Sequence, residues 1–128
     1  MPKPAAHPMF KETGGAEYGI NKKGMEVILK VMCPEKAGIN AVRLADLLIV
    51  GAPGELVCEL GLEVKNKLSS LGINFPVIGG ITNEWISYIL SAEQYENGGY
   101  EASVSFYGPD LGKTIVNGMI KAAIPLIK

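Results

Sequence analysis

Histidine is the scarcest chemical resource in this chain: its 128 residues contain one, His7. A Ser-His-Asp or Cys-His catalytic set is therefore hard to build, and a zinc site made wholly by this chain lacks the usual imidazole ligands. Cysteine stops at two, Cys33 and Cys58, which form neither a disulfide framework nor a metal-binding spacing. Two buried free thiols in a reduced compartment are the expectation. Neither sign of charge dominates: 12 Lys+Arg stand against 13 Asp+Glu, for a net charge of −1. That balance argues against nucleic-acid binding by bulk electrostatics and against a polybasic membrane-surface binder. Long hydrophobic runs are missing too. The longest charge-free stretch, between Lys67 and Glu84, is interrupted by Ser69, Ser70, Asn74 and Pro76, so it is not a membrane span. Met1 to Phe10 carries Lys3, His7 and three prolines where a secretory leader has an apolar run, and no Asn-x-Ser/Thr sequon occurs. The expectation is a soluble, cytoplasmic protein.

What is present fits one small domain. Hydrophobic residues make up 48% of the chain, enough for a core of its own at this length. Residues 1–24, rich in Pro, Gly, Lys and Ala, read as an irregular lead-in, and residues 25–128 as the folded unit. Glu26–Met32 is β-branched and apolar and predicts a strand. Ile39–Leu44 and Leu47–Val50 predict a hairpin around Ala45-Asp46, its second strand buried on both faces. Glu55–Leu71 follows with Leu56, Leu60, Val64, Leu68 and Leu71 at helical spacing, and Gly72 stands where a helix terminator belongs. Phe75–Ile81 predicts another buried strand. Asn83–Tyr95 is ambiguous: Trp85, Ile86, Ile89 and Leu90 can form a short helix, and Ser91-Ala-Glu-Gln reads as a capping box that opens a further turn. Tyr100–Tyr107 alternates in part, as a strand or extended segment would, and Gly112–Lys128 predicts a C-terminal helix with a late Pro125. This order predicts an α/β fold, a mixed β-sheet packed with helices.

The strongest local signal is Val50–Leu56, a buried strand ending in Gly-Ala-Pro-Gly before a helix. Ligand sites in α/β proteins gather at such junctions. Glu55 then falls in the first helical turn, where complementing the helix dipole is the ordinary explanation for an acid. Gly108-Pro-Asp-Leu-Gly112-Lys113-Thr114 has three residues between its glycines where a phosphate loop needs four, and reads as a helix-entry turn. Tyr88, Tyr95, Tyr100 and Tyr107 gather near Trp85, a pattern that amphipathic packing alone can explain.

Three ordered segments go further. RLADLLIVGAPGEL ends in Pro-Gly-Glu. ITNEWISYILSAEQY carries Asn-x-Trp-x-x-Tyr and a continuation like Thr-Pro-Glu-Glu-Tyr. GGYEASVSFYGP fits Tyr-Glu-Ala-x-Ser-x-x-Tyr-Gly-Pro, with Val104 in place of the serine. Together, from about Ala41 to Pro109, they resemble the last section of the catalytic domain of the neutral/alkaline ceramidase family. The resemblance implies a zinc-dependent amidase that splits the N-acyl bond of ceramide, or of a related N-acyl lipid, into an amine base and a fatty acid. It implies Glu55 and Tyr88 as two of four zinc ligands and Tyr100 as an active-site hydroxyl that helps stabilise the oxyanion. The family's two histidine ligands and serine nucleophile lie upstream of the matched part and have no counterparts here. The resemblance therefore implies a hydrolase component completed by a complementary chain that carries the missing half-site, or a homo-oligomer. The alternative is a non-catalytic binding or interaction module that retains the fold.

Overall fold

The computed structural model describes residues 1–9 and 19–127; residues 10–18 of the expected lead-in lie outside them. Helix α1 (Lys22–Met32) occupies the segment expected to form a strand. The apolar density there suggested β structure, but Met25, Leu29 and Cys33 recur every four residues and bury one helical face. Asn21 caps it, its side chain accepting the Gly24 N–H at 2.9 Å.

Strands β1 (Ala41–Leu44) and β2 (Leu47–Gly51) form the expected antiparallel hairpin, turning through Ala45 at φ 52°. The chain then makes a two-residue strand, β3 (Glu55–Leu56), before helix α2 (Cys58–Ser70). Strand β4 (Phe75–Gly79) returns parallel to β2, giving a three-stranded mixed sheet in the order β1-β2-β4. A second, two-stranded parallel sheet pairs β3 with β5 (Tyr88–Ile89). Short helices α3 (Ala92–Asn97) and α4 (Tyr100–Ser103) lead to α5 (Leu111–Ala123), and Pro125 sits in a closing 3-10 turn over Ile124–Leu126. The architecture is α/β with a mixed sheet.

Leu48 and Val50 of β2, both wholly buried, meet Leu60, Val64 and Leu68 of α2 and Ile115, Val116 and Met119 of α5 in one core. Gly72, at φ +91°, ends α2 as expected: its N–H reaches the Ser69 carbonyl at 3.0 Å, and Ile73 N–H reaches that of Leu68 at 3.2 Å. The Ser91 capping box also forms, opening α3. Gly112 is pressed against the Leu90 carbonyl and Leu60, so the glycine-rich turn before α5 serves close packing.

Further expectations are corrected: the Phe75–Ile81 strand, expected to be buried, has Phe75 and Val77 exposed. The Leu47–Val50 run is buried on one face only; Leu47 and Ile49 lie half-exposed on the other. Trp85–Leu90 is extended and contains β5, because its backbone pairs with β3. Tyr100–Ser103 is a helical turn launched from Gly98 and Gly99 at φ +80° and +95°. Cys33 and Cys58 are both free thiols, but only Cys33 is buried. Among the described residues no helix is long and apolar enough to cross a membrane.

Tyr107 ties the end of α1 to this core. The side chain is 2% exposed, and its hydroxyl donates to the Pro34 carbonyl at 2.9 Å. Burial, with the Cys33 thiol beside it, pushes the phenol well above its usual range. A raised folded-state value means that the stabilisation is complete below about pH 10, the ordinary phenol value, and is lost as pH rises past it. Tyr107→Phe should cost roughly 1 kcal/mol at neutral pH through the lost hydrogen bond. It should also flatten the alkaline fall in melting temperature, measured by circular dichroism; equal alkaline slopes in both proteins would contradict this.

Candidate functional site

The site begins with a backbone requirement. After β2 the chain must leave the three-stranded sheet and enter the second one within a few residues. Ala52 N–H bonds the Gly79 carbonyl at 2.7 Å, Thr82 N–H bonds that of Ala52 at 2.9 Å, and Ile86 N–H bonds that of Pro53 at 2.8 Å. The Gly-Ala-Pro-Gly turn and the 80–87 loop are thereby laced together. Gly54 lies so close to the Ser87 carbonyl that a Cβ has no room there. The loop opposite carries Ile81, Asn83 and Ser87 at φ 52°, 66° and 78°. Left-handed backbone at a β-branched residue is strained and persists only where surrounding contacts impose it.

This lacing sets the register of β3 on β5. Glu55 pairs with Tyr88, and Glu55 N–H donates to the Ser87 carbonyl at 3.0 Å. Residues opposite each other in adjacent strands point to the same face, so the carboxylate and the phenol emerge side by side. Glu55 thus lies in a strand, not in the first turn of α2; the acid of that turn is Glu59. The helix-dipole explanation for Glu55 is removed. From the far side, Ser105 donates to the Tyr88 carbonyl at 2.9 Å and Ser87 donates to that of Val104. The segment bearing Tyr88 is thereby held between β3 and the turn after α4.

Two aromatic rings complete the cluster. The Trp85 indole N–H donates to Glu55 Oε1 at 3.0 Å, and the Tyr100 ring meets Tyr88 edge-on with centroids 6.0 Å apart. The structure therefore brings together all three of the sequence-derived site residues, Glu55, Tyr88 and Tyr100. Desolvation first, and then the Glu55 carboxylate by charge and hydrogen bonding, push the Tyr88 phenol above its usual range. Trp85 was not singled out as a partner of Glu55 by sequence reasoning. Its position three residues before Tyr88 was the available signal, since an extended turn can bring two such side chains to one carboxylate.

No imidazole joins this cluster. His7 is 5% exposed; its Nε2 lies 2.8 Å from the Tyr95 carbonyl, its Nδ1 accepts the Met9 N–H at 3.1 Å, and its ring packs edge-on against Tyr95. Both ring nitrogens are engaged, so His7 acts as a packing residue. Among the described residues no group of three or more His, Cys, Asp or Glu side chains could hold a metal ion. A carboxylate and a phenol oxygen suit zinc as donors, but they make only part of a four-ligand set.

Two outcomes follow from this geometry. Gly54→Ala should force β3 away from β5 and cost roughly 1–3 kcal/mol, read as a lower denaturation midpoint; an unchanged midpoint would show that the close approach is not a constraint. Glu55→Gln should lower the Tyr88 pKa toward its ordinary value, because the carboxylate's charge favours the protonated phenol. Site-resolved NMR titration of the tyrosine ring carbons measures this, and an unmoved or higher Tyr88 value would refute the coupling.

No family model matches the chain. Neutral ceramidase of Pseudomonas aeruginosa is 29% identical over 80 residues, which cover 59% of this chain and 12% of that protein. Neutral ceramidase of Oryza sativa is 29% identical over 98 residues, covering 70% of this chain and again 12% of the relative. The crystal structure of the Pseudomonas aeruginosa neutral ceramidase superimposes with a TM-score of 0.65 at 26% identity, covering 69% of this chain and 15% of that one. The chain spans about an eighth of the length of the curated relatives it matches. Over that stretch, and in both sequence and backbone, it resembles the neutral ceramidases.

Proposed function

We propose that this chain is a component of a ceramidase-like hydrolase that cleaves the N-acyl amide bond of ceramide or a related N-acyl lipid. The observation that carries this reading is the pairing of Glu55 with Tyr88 across two parallel strands, with Tyr100 against Tyr88. In the reaction, water adds to the amide carbon, the C–N bond breaks, and the products are a fatty acid and the free amine. Glu55 and Tyr88 would supply two oxygen donors to a zinc ion, and a complementary chain or segment would supply its imidazoles. Zinc, when bound there, supplies Lewis-acid polarisation of the amide carbonyl and of the attacking water. The exposed Tyr100 hydroxyl is free to donate to the oxygen on which negative charge develops. Trp85 holds the Glu55 carboxylate in one orientation through its indole N–H.

A second reading, a non-catalytic binding or interaction module on the same fold, is favoured by the lack, among the described residues, of a complete metal-ligating group. The two readings diverge in their response to zinc alone. The chain has a single tryptophan, and it is bonded to Glu55, so its fluorescence reports directly on the carboxylate. Titration of zinc into the purified chain should shift Trp85 emission with weak affinity, roughly 10 µM or weaker, because half the ligands come from elsewhere. Glu55→Gln should abolish the shift. Emission that ignores zinc up to millimolar concentration would discard the metal-binding role and leave the binding-module reading.

A further inference from the structure

The face of the three-stranded sheet turned away from α2 and α5 is apolar and, among the described residues, uncovered. Register places Val42 opposite Ile49 and Ile49 opposite Val77; in the next rank Leu44 lies opposite Leu47 and Leu47 opposite Phe75. These six side chains point the same way, since their neighbours Leu48 and Val50 point into the core. Val42, Leu44, Phe75 and Val77 are 53%, 61%, 62% and 40% exposed. No charged side chain interrupts either rank, and the outermost strands carry none of the outward lysines or glutamates that normally protect an open sheet. With side chains of this size the patch exposes on the order of 400 Å² of apolar surface, the range in which patches mark interaction sites.

We infer that this face is a homodimer interface, closed by the same face of a second copy. Three features select that occupant. The patch is flat and built of two parallel ranks of β-branched, leucine and phenylalanine side chains, the shape that packs against another sheet at about 10 Å. It is uniformly apolar, so it complements itself under a two-fold axis, where a charged face would repel its copy. An apolar area of this order is what an ordinary stable interface of about 800 Å² per partner contains, since a little over half of such an interface is apolar. The inference is independent of the Glu55–Tyr88 cluster, which lies on the second, two-stranded sheet.

Sedimentation velocity over a concentration series tests it. The wild-type chain should sediment at twice its own mass at micromolar concentration. Val42→Glu and Phe75→Glu each bury an unpaired charge in the dimer, and should raise the dissociation constant at least about a hundredfold. Both positions are exposed in the monomer, so far-UV circular dichroism should be unchanged. Val31→Glu, on the exposed face of α1 at 79% exposure, should leave the dimer intact. A wild-type chain that stays monomeric at about 100 µM overturns the inference, since a stable interface of this class binds more tightly than that. So does a dimer that survives both sheet substitutions, or one that Val31→Glu breaks equally well.

Discussion

The closeness of two backbones at Gly54 is the constraint on which the rest of this structure depends. A Cβ at that position would collide with the Ser87 carbonyl. Without one, β3 can lie directly on β5 and bring Glu55 opposite Tyr88. The same economy of space recurs one step earlier. Gly51 and Gly79 end adjacent strands, and both are filled from outside by Thr82, whose hydroxyl donates to the Gly79 carbonyl at 2.9 Å. Thr82 N–H in turn bonds the Ala52 carbonyl. The two strand ends and the loop thus form a clasp, and the strained dihedrals at Ile81, Asn83 and Ser87 are what it costs to keep the loop inside that clasp.

How much of this was legible in the sequence follows from how local each signal is. The β1–β2 hairpin, the Leu60–Val64–Leu68 face of α2, the Gly72 terminator and the Ser91 capping box rest on periodicity or on caps a few residues long. They form where the spacing places them. Glu26–Met32 misled because β-branched content and helical period pointed different ways, and burial of Met25, Leu29 and Cys33 on one side decided for the helix. Glu55–Leu56 is a strand for a non-local reason: its partner, Tyr88–Ile89, lies over thirty residues away, and no window around Glu55 contains it. Tyr100–Ser103 turned helical because two glycines in the left-handed region redirect the chain just before it.

The candidate site divides along the same line. The likeness of three ordered segments to the ceramidase family drew attention to Glu55, Tyr88 and Tyr100, and the fold places those side chains together. Composition and spacing alone would have left Glu55 as a dipole complement and the tyrosines as packing. The indole of Trp85 was recognisable only as part of a motif, because a hydrogen bond to Glu55 across thirty residues has no local signature. Ser87 and Ser105 were invisible for the same reason; their hydroxyls anchor the Tyr88 segment by bonding carbonyls on the neighbouring stretch.

The electrostatics of the cluster rest on neutral donors. A carboxylate at the edge of a fold needs donors, and Glu55 obtains them from neutral groups: the indole N–H of Trp85 and the phenol of Tyr88. Neither donor brings a charge, and the phenol is held protonated by desolvation first and then by the negative charge beside it. On the proposed metal-binding reading, Glu55 and Tyr88 would help to hold the ion, and its charge would favour the ionised phenol over the protonated one. The backbone register sets the two residues side by side whichever reading of the site holds.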